Sequence, residues 1–439
     1  MSLLRRQFLS LLASTPAVAM TASHAADSAA PDMPHVPWSR QAAIYQVNVR
    51  QYTAEGTFKA AMAELPRLKA MGVDILWLMP IQPIGQVNRK GTLGSYYSIR
   101  DYTAVNPEFG TLADARAYVQ AAHAQGMKVI LDWVANHTAF DHPWTHEHKD
   151  WYKLDAHGEI FPVTFHAGEA TEEHWSDVTA LNYDRPALRD AMIAAMQFWV
   201  READLDGFRC DVASSVPTPF WERARRELDA VKPMFMLAES DARDLHRSAF
   251  DMTYSWDLAA LFHHVGQGKA GAAELRDWVA REPHGYPPSA YRMRFTSNHD
   301  FNSWNGTDAE LYGAAYLPLA VLTFTLPGMP LIYGGQEARL DKRLEFFEKD
   351  PIAWKTRELQ PFYTNLLALK HKHPALANGQ YGGALALLDV ANDKLFAFKR
   401  TTDADHLAVV VNLTSAEQKF KLGGTERTLP AAGWLVEAA

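Results

Sequence analysis

Eight short strand-like runs alternate with helical patterns along most of this 439-residue chain. The runs cover residues 44–52, 75–81, 129–136, 207–213, 235–240, 251–256, 293–297 and 331–334. Between them, apolar residues recur at helical spacing, as in the series Leu188, Met192, Ala195 and Trp199. Alternating strands and helices are typical of parallel βαβ units, and eight such units predict an α/β fold, a closed (β/α)8 TIM barrel.

Two long segments interrupt this alternation. Residues 137–184 follow the third strand and are rich in His, Trp, Gly and acidic residues, which indicates a short subdomain inserted into the barrel. Beyond residue 373 the pattern changes to that of antiparallel strands, at 385–388, 395–399 and 407–413. We therefore expect a barrel domain at 38–372, which carries the insertion, and a C-terminal β domain at 373–439.

The first 25 residues have the pattern of an export signal. Arg5 and Arg6 precede an apolar run, and Ser23-His-Ala25 has the small-x-small form of a cleavage site. The paired arginines resemble the twin-arginine export pattern, and an ordinary secretory signal fits nearly as well. Residues 26–37, rich in Ala and Pro, then form a linker. The sequence thus predicts a periplasmic or secreted protein.

The overall charge excludes some classes of partner. The formal net charge is -8, and no basic run occurs beyond the first few residues, which argues against a nucleic-acid ligand. The N-terminal apolar run is too short to span a bilayer comfortably, so no stable membrane insertion is expected. The chain has a single cysteine and therefore no intramolecular disulfide. An uncharged small ligand fits these properties.

The fourth predicted strand carries two opposite charges on one face. Because side chains alternate along a strand, Phe208, Cys210 and Val212 point one way while Arg209 and Asp211 point the other. An unpaired buried charge costs several kcal/mol. Arg209 and Asp211 must therefore pair with other groups or take part in function.

Further polar side chains occur where other predicted strands end. In a barrel of this type the active site lies at the C-terminal ends of the strands. The sequence predicts that three carboxylates, two histidines and an arginine converge there, namely Asp211, Glu239, Asp300, His137, His299 and Arg209.

Two of these carboxylates fit the cleavage of a glycosidic bond. That reaction needs one carboxylate to attack the anomeric carbon and one carboxylic acid to protonate the departing oxygen. Neighbouring strands lie roughly 4.8 Å apart, so Asp211 and Glu239 suit a retaining mechanism with a covalent intermediate. We expect Arg209 to keep Asp211 ionised and burial to keep Glu239 protonated. Asp300 and His299 would bind sugar hydroxyls.

Four segments together resemble the alpha-amylase family, glycoside hydrolase family 13. They are Asp132-x-Val-x-Asn-His137, Gly207-Phe-Arg-x-Asp211, Glu239 and Asn298-His-Asp300, in the family's order. The resemblance implies that Asp211 is the nucleophile, Glu239 the general acid/base and Asp300 the stabiliser of the transition state. It also implies that His137, Arg209 and His299 support substrate binding and that the C-terminal domain is a β-sandwich.

A fifth segment adds one residue to the expected site. Gly94-Ser-Tyr-Tyr-Ser-Ile-Arg-Asp101 is similar to the family's segment after the second strand. By this resemblance Tyr97 stacks on the sugar ring bound at the nucleophile.

Three departures from the family pattern concern calcium and bond preference. Val212-Ala-Ser-Ser215 replaces the Ala-x-Lys-His of many family amylases, Ala180 stands where a calcium-binding Asp is usual, and Phe301 replaces a frequent acidic residue. The chemistry requires no cofactor. The departures count against bound calcium, for which Asn136 is the candidate ligand, and leave the preferred linkage open.

Three functions remain in competition. The first is a hydrolase that cleaves α-1,4 bonds of starch-derived glucans or maltooligosaccharides. The second uses the same chemistry as a transglycosylase or isomerase, or acts on cyclodextrins or α-1,6 bonds. The third is a non-catalytic glucan-binding protein, which the presence of all three acids disfavours. The oligomeric state cannot be derived from the sequence.

Overall fold

The computed structural model describes residues 35–166 and 172–438. Its strands are β1 (Ile44–Val47), β2 (Ile75–Leu78), β3 (Lys128–Trp133), β4 (His137–Ala139), β5 (Pro162–His166), β6 (Glu172–Ala180), β7 (Gly207–Cys210), β8 (Phe235–Ala238), β9 (Met252–Tyr254), β10 (Tyr291–Arg294), β11 (Met329–Tyr333), β12 (Ala384–Leu387), β13 (Leu395–Thr401), β14 (His406–Asn412), β15 (Gln418–Leu422), β16 (Thr425–Leu429) and β17 (Trp434–Ala438). Its α-helices are α1 (Val49–Tyr52), α2 (Phe58–Met62), α3 (Leu65–Met71), α4 (Leu112–Ala124), α5 (Trp144–Glu147), α6 (Pro186–Ala203), α7 (Thr218–Asp229), α8 (Trp256–Gly266), α9 (Ala272–Arg281), α10 (Asp308–Tyr312), α11 (Tyr316–Thr325) and α12 (Gln360–Lys372).

Eight parallel strands close into a barrel in the order β1-β11-β10-β9-β8-β7-β3-β2. Each of the eight predicted strands is present, so the (β/α)8 prediction is confirmed. The first is shorter than predicted, because the chain turns at Asn48 and continues as α1, where the N–H of Tyr52 donates to the Asn48 carbonyl oxygen over 2.8 Å. The seventh lies two residues earlier than predicted and ends at Arg294.

Side-chain alternation along the strands separates two layers of the core. Ile44, Ile75 and Ile130 belong to an inner cluster that fills the barrel. Phe208 and Cys210 belong to the cluster between the barrel and its surrounding helices. The alternation therefore directs Arg209 to the inside of the barrel, as the sequence predicts.

The segment after β3 forms a small antiparallel sheet in the order β4-β6-β5. Val163, Val178 and Ala180 make its buried apolar patch, with Trp175 against it. This insertion confirms the predicted subdomain. It stands at the C-terminal end of the barrel, where β4 begins with His137.

The C-terminal region consists of two antiparallel sheets, β12-β13-β14-β17 and β15-β16. Residues from both sheets share one apolar cluster, which contains Leu395, Val410, Phe420 and Leu429. Phe396 and Val409, on the other face of the larger sheet, join the main core beside the barrel helices. The last three strands were not predicted, because β15 and β16 bury one side chain each and β17 buries none, so their patterns are weak.

The predicted signal segment and most of the linker lie outside the described residues. His35 and Val36, at the end of the predicted linker, are buried. The His35 ring lies 2.7 Å from a carboxylate oxygen of Asp251. In the described part of the chain, no helix combines the length and the apolar character needed to cross a bilayer.

Candidate active site

A pocket of about 190 Å³ opens at the C-terminal ends of the barrel strands. Six of the residues predicted from sequence line it, namely Tyr97, His137, Asp211, Glu239, His299 and Asp300. Arg209 lies beneath them and is fully buried. The structure therefore brings together all seven predicted catalytic and substrate-binding side chains, which come from five separate segments of the chain.

Arg209 is the centre of the charge arrangement. Its Nη1 donates to Asp132 Oδ1 and to Asp211 Oδ1, both over 2.8 Å, and its Nη2 lies 3.0 Å from Glu239 Oε1. One buried positive charge thus faces three carboxyl groups. Since three ionised carboxylates beside a single cation would leave a net negative charge in a poorly solvated site, the arrangement favours a proton on one of them.

The pKa values indicate which carboxyl group keeps the proton. Burial raises the pKa of Glu239 to about 8, with attraction to Arg209 opposing the shift and repulsion from Asp211 and Asp300 adding to it. Burial raises the pKa of Asp211 to about 6, again against the attraction of Arg209. Interaction with the Glu239 carboxyl group also lowers the pKa of Asp211 and so opposes the effect of burial. Near neutral pH, Glu239 is therefore the acid and Asp211 the carboxylate.

Val212 holds Glu239 through its backbone. Its N–H donates to Glu239 Oε2 over 2.8 Å. Its φ of 37° lies in the left-handed region, which a β-branched residue rarely adopts. Val212 is also one of the residues that line the pocket. The strand ends at Cys210 and the backbone reverses at Val212, so the regular alternation of side chains stops there.

A hydrogen-bonded chain fixes the aromatic floor of the pocket. The Tyr97 hydroxyl lies 3.1 Å from Asp132 Oδ2 and 2.8 Å from His299 Nε2, and the Gln46 amide lies 2.7 Å from His299 Nδ1. The Tyr97 and His299 rings stack with centroids 5.5 Å apart. Burial lowers the pKa of His299 to about 4, so its ring is neutral near neutral pH. Asp300, whose side chain is 36% exposed, faces the open pocket.

Comparison with known proteins agrees with this geometry. A family model described as the catalytic domain of alpha amylase matches residues 27–357. The chain belongs to the alpha-amylase family. A crystal structure of an alpha-amylase from Lactobacillus plantarum has a TM-score of 0.81 and 31% identity, and the match covers 92% of this chain and 99% of that one.

Two curated relatives show that members with different reactions resemble this chain. Alpha-amylase MalA of Haloarcula japonica is 30% identical over 414 residues, which cover 89% of this chain and 58% of the relative. An alpha-1,4-glucan:maltose-1-phosphate maltosyltransferase of Mycobacterium tuberculosis is 30% identical over 433 residues, which cover 88% and 56%. The chain therefore spans little more than half the length of these two relatives.

The residues around Asn136 do not fit the calcium site that the family resemblance implies. Calcium needs six to eight oxygen ligands. The Asn136 amide lies 3.2 Å from His137 Nδ1, and its backbone oxygen accepts from Leu181. Ala180, opposite His137 in the β4–β6 register, supplies no side-chain oxygen. Across residues 35–166 and 172–438, no group of three or more His, Cys, Asp or Glu is arranged to hold a metal.

His137 instead belongs to the pocket wall. Burial lowers the pKa of His137 to about 4, so its ring is neutral there. Its ring meets that of Trp175 edge-on, with centroids 5.5 Å apart. His137 thus links the barrel rim to the inserted sheet.

Sequence analysis missed an aromatic and charged rim around the pocket. This rim comprises Lys90, Trp175, Asp177, Trp256, Trp304, Phe346 and Phe347. They lie in the inserted sheet, in loops, at the start of α8 or in the helical turn at Phe301–Asn305, where no periodicity separates a pocket residue from a surface one. Gln46 was also missed. The sequence did carry a signal for it, since Gln46 is a polar residue at an inward position of β1.

Proposed function

We propose that this protein is a retaining glycoside hydrolase that cleaves α-1,4-glucosidic bonds in starch-derived glucans or maltooligosaccharides. The observation that carries the proposal is the pairing of Asp211 and Glu239 on one buried guanidinium, with pKa values displaced by different amounts. Such a division of two carboxyl groups into an acid and a base is what glycosidic cleavage needs.

In the first step the Asp211 carboxylate attacks the anomeric carbon of the sugar in the pocket. The bond from that carbon to the glycosidic oxygen breaks, and the electron pair goes to the oxygen. Glu239 donates its proton to the same oxygen, so the leaving sugar departs as a neutral alcohol. A glycosyl ester on Asp211 results.

In the second step Glu239, now a carboxylate, removes a proton from a water molecule as that water attacks the anomeric carbon. The ester bond breaks, and Asp211 recovers its carboxylate. Two inversions at one carbon retain the anomeric configuration. Asp300 and His299 contact sugar hydroxyls and favour the flattened ring of the transition state. Neither step needs a metal or a cofactor.

A transglycosylase is the second candidate. It is favoured by the apolar walls of the pocket, which keep water away from the ester, and by the resemblance to a maltosyltransferase. A sugar hydroxyl would then take the place of water in the second step. We further propose, from the pattern of residues 1–25, that the protein is exported to the periplasm or secreted.

The experiment is a product time course on maltoheptaose, pullulan and β-cyclodextrin, with and without a chelator. We expect shorter maltooligosaccharides with retained configuration and no effect of the chelator. Asp211→Asn should lower kcat/KM by about 10⁴-fold or more, because the nucleophile is gone. The matched control, Asp403→Asn at an exposed position of the C-terminal domain, should be unchanged.

Other outcomes would revise or overturn the proposed function. Longer products at a constant number of reducing ends would assign the transglycosylase. Preferred turnover of pullulan would replace the proposed α-1,4 linkage by α-1,6. Preferred turnover of β-cyclodextrin would replace the proposed linear substrate by a cyclic one. Binding of all three glucans with no turnover of any would overturn the enzyme proposal.

A further inference from the structure

Lys90 lines one side of the pocket and belongs to residues 86–94, which we call the strap, in the long connection after β2. Lys90 Nζ in the strap lies 2.9 Å from Asp177 Oδ1 on β6 of the inserted sheet. At its other end, the N–H of Leu93 donates to the Phe347 carbonyl oxygen over 3.1 Å. Thr92 bonds to the Glu348 carboxylate through both its N–H and its hydroxyl. The strap therefore joins the inserted sheet to the loop after β11.

The strap is a built wall rather than a loose loop. The Asp177 side chain is only 6% exposed, and that of Lys90 25%. Arg89, next to Lys90, donates from Nε to the Gly85 oxygen over 2.8 Å and from Nη2 to the Ile84 oxygen over 3.1 Å. The Ser98 hydroxyl donates to the backbone oxygen of Asp177 over 3.0 Å. Both ends of the Lys90–Asp177 pair are thus held by further bonds.

The order of strands in the barrel shows on which side of the pocket the strap lies. Glu239 follows β8, which lies directly opposite β1 in the closed barrel. The strap and Phe347 follow β2 and β11, the two neighbours of β1. The strap is therefore across the pocket from Glu239. Since Glu239 protonates the leaving oxygen, the leaving part of a glucan lies on its side, and the non-reducing part points toward the strap.

We propose that the strap limits the pocket to the non-reducing end of a glucan, so that the enzyme releases short units from that end and does not cut within chains. This inference rests on the proposed function. The rings of Trp304 and Phe346, 5.1 Å apart beside the strap, offer apolar faces against which a short bound segment can pack. A longer chain on that side would meet the Lys90–Asp177 pair.

The test compares p-nitrophenyl α-maltoheptaoside with the same compound blocked at its non-reducing end by a 4,6-O-ethylidene group. All nitrophenyl-bearing products are followed by chromatography. We expect the free compound to give one shortened product first, and the blocked compound to be cleaved at least about tenfold more slowly. Equal cleavage of both would overturn the inference while leaving the hydrolase intact. Cleavage of neither would overturn the hydrolase, and the inference with it.

Variants of the strap provide a second test. Lys90→Ala combined with Thr92→Ala removes side-chain links at both ends, and we expect the ratio of blocked to free cleavage to rise by about tenfold. The matched control is Arg100→Ala, which removes an ion pair of 3.5 Å to Asp141. That pair also joins the connection after β2 to the inserted subdomain, but it lies outside both the strap and the pocket. This control variant should leave the ratio unchanged. If cleavage of both compounds slowed while their ratio stayed constant, Lys90 and Thr92 would bind sugar. That result would overturn the proposal that the strap limits the pocket.

Discussion

At the scale of single residues, the site depends on how one guanidinium is shared. Asp132 and Asp211 both accept from Nη1 of Arg209, so Glu239 interacts only with the other terminal nitrogen, Nη2. Burial then acts on three acids with one counter-charge among them, and the pKa of Glu239 rises to about 8. The larger part of the pKa difference between Glu239 and Asp211 therefore comes from their positions, since Glu and Asp differ little in ordinary pKa.

The role of Glu239 predicts a dependence on the leaving group. Glu239→Gln should lower kcat/KM on maltoheptaose by about 10²–10⁴-fold, because the alcohol must then leave without a proton. Fluoride leaves without protonation, so formation of the glycosyl ester from α-maltosyl fluoride should be nearly unaffected. The measurement is single-turnover fluoride release by the variant.

The contrasting variant is Asp300→Asn, which should lose activity similarly on both substrates because it contacts the sugar rather than the leaving group. In the unmodified protein, cleavage of maltoheptaose should fall as pH rises past about 8, where Glu239 loses its proton, and as pH drops below about 6, where Asp211 gains one. The rate of fluoride release should fall only on the acid side, where Asp211 gains a proton. A fall in that rate on the alkaline side would contradict the assignment of Glu239 as the acid.

At the scale of elements, β7 and its end carry the largest share of the chemistry. The strand places Arg209 inward, and its continuation holds Asp211 and the reversed backbone of Val212. Its close packing begins at Gly207, where an added Cβ would lie 2.0 Å from the Phe235 carbonyl oxygen and 3.0 Å from Ile130 Cγ2. No larger side chain fits without moving β8 or β3.

Gly207→Ala should therefore destabilise the protein by about 1–3 kcal/mol and lower its activity, because displaced strands would shift Arg209. Thermal unfolding and kcat/KM on maltoheptaose measure the two effects. Gly271→Ala is the control, since its extended φ of -160° suits any residue and nothing lies within 4 Å of the added Cβ. Equal unfolding temperatures for the two variants would contradict the packing argument.

At the scale of the whole molecule, a buried lysine lies where the barrel meets the C-terminal region. Lys370, near the end of α12, donates to the Leu376 carbonyl oxygen over 2.7 Å and to Asn378 Oδ1 over 2.8 Å. The Asn378 amide in turn donates to the Ser39 oxygen over 2.8 Å. Burial lowers the pKa of Lys370 to about 7, with repulsion from Arg400 adding to the shift and Asp74 opposing it.

This lysine predicts a dependence of stability on pH. In the unfolded chain Lys370 keeps its ordinary pKa of about 10.4, so between about pH 7 and 10 the unfolded state binds the extra proton. Stability should therefore rise with pH across that window, and the rise should be smaller in Lys370→Met. Thermal unfolding at several pH values is the measurement, with Lys372→Met, at an exposed position of α12, as control. Parallel curves for the unmodified protein and Lys370→Met would refute the prediction.

Much of this architecture follows from local patterns. The eight barrel strands could be predicted because a run of apolar residues between helical segments is a local property of the chain. The inward direction of Arg209 and Asp211 follows from alternation alone, and the convergence of Glu239, His299 and Asp300 follows from their places at strand ends. Fold class, inserted subdomain and candidate acids were therefore determined by the sequence.

The tertiary structure alone decided how these groups share charge and where the pocket ends. The proton on Glu239 depends on burial and on the distances from Arg209 to three acids far apart in the chain. The strap depends on Lys90 meeting Asp177, and the turn of Val212 on a backbone reversal that no periodicity predicts. These features arise from contacts between distant segments, and such contacts exist only once the barrel has closed and its loops have packed against one another.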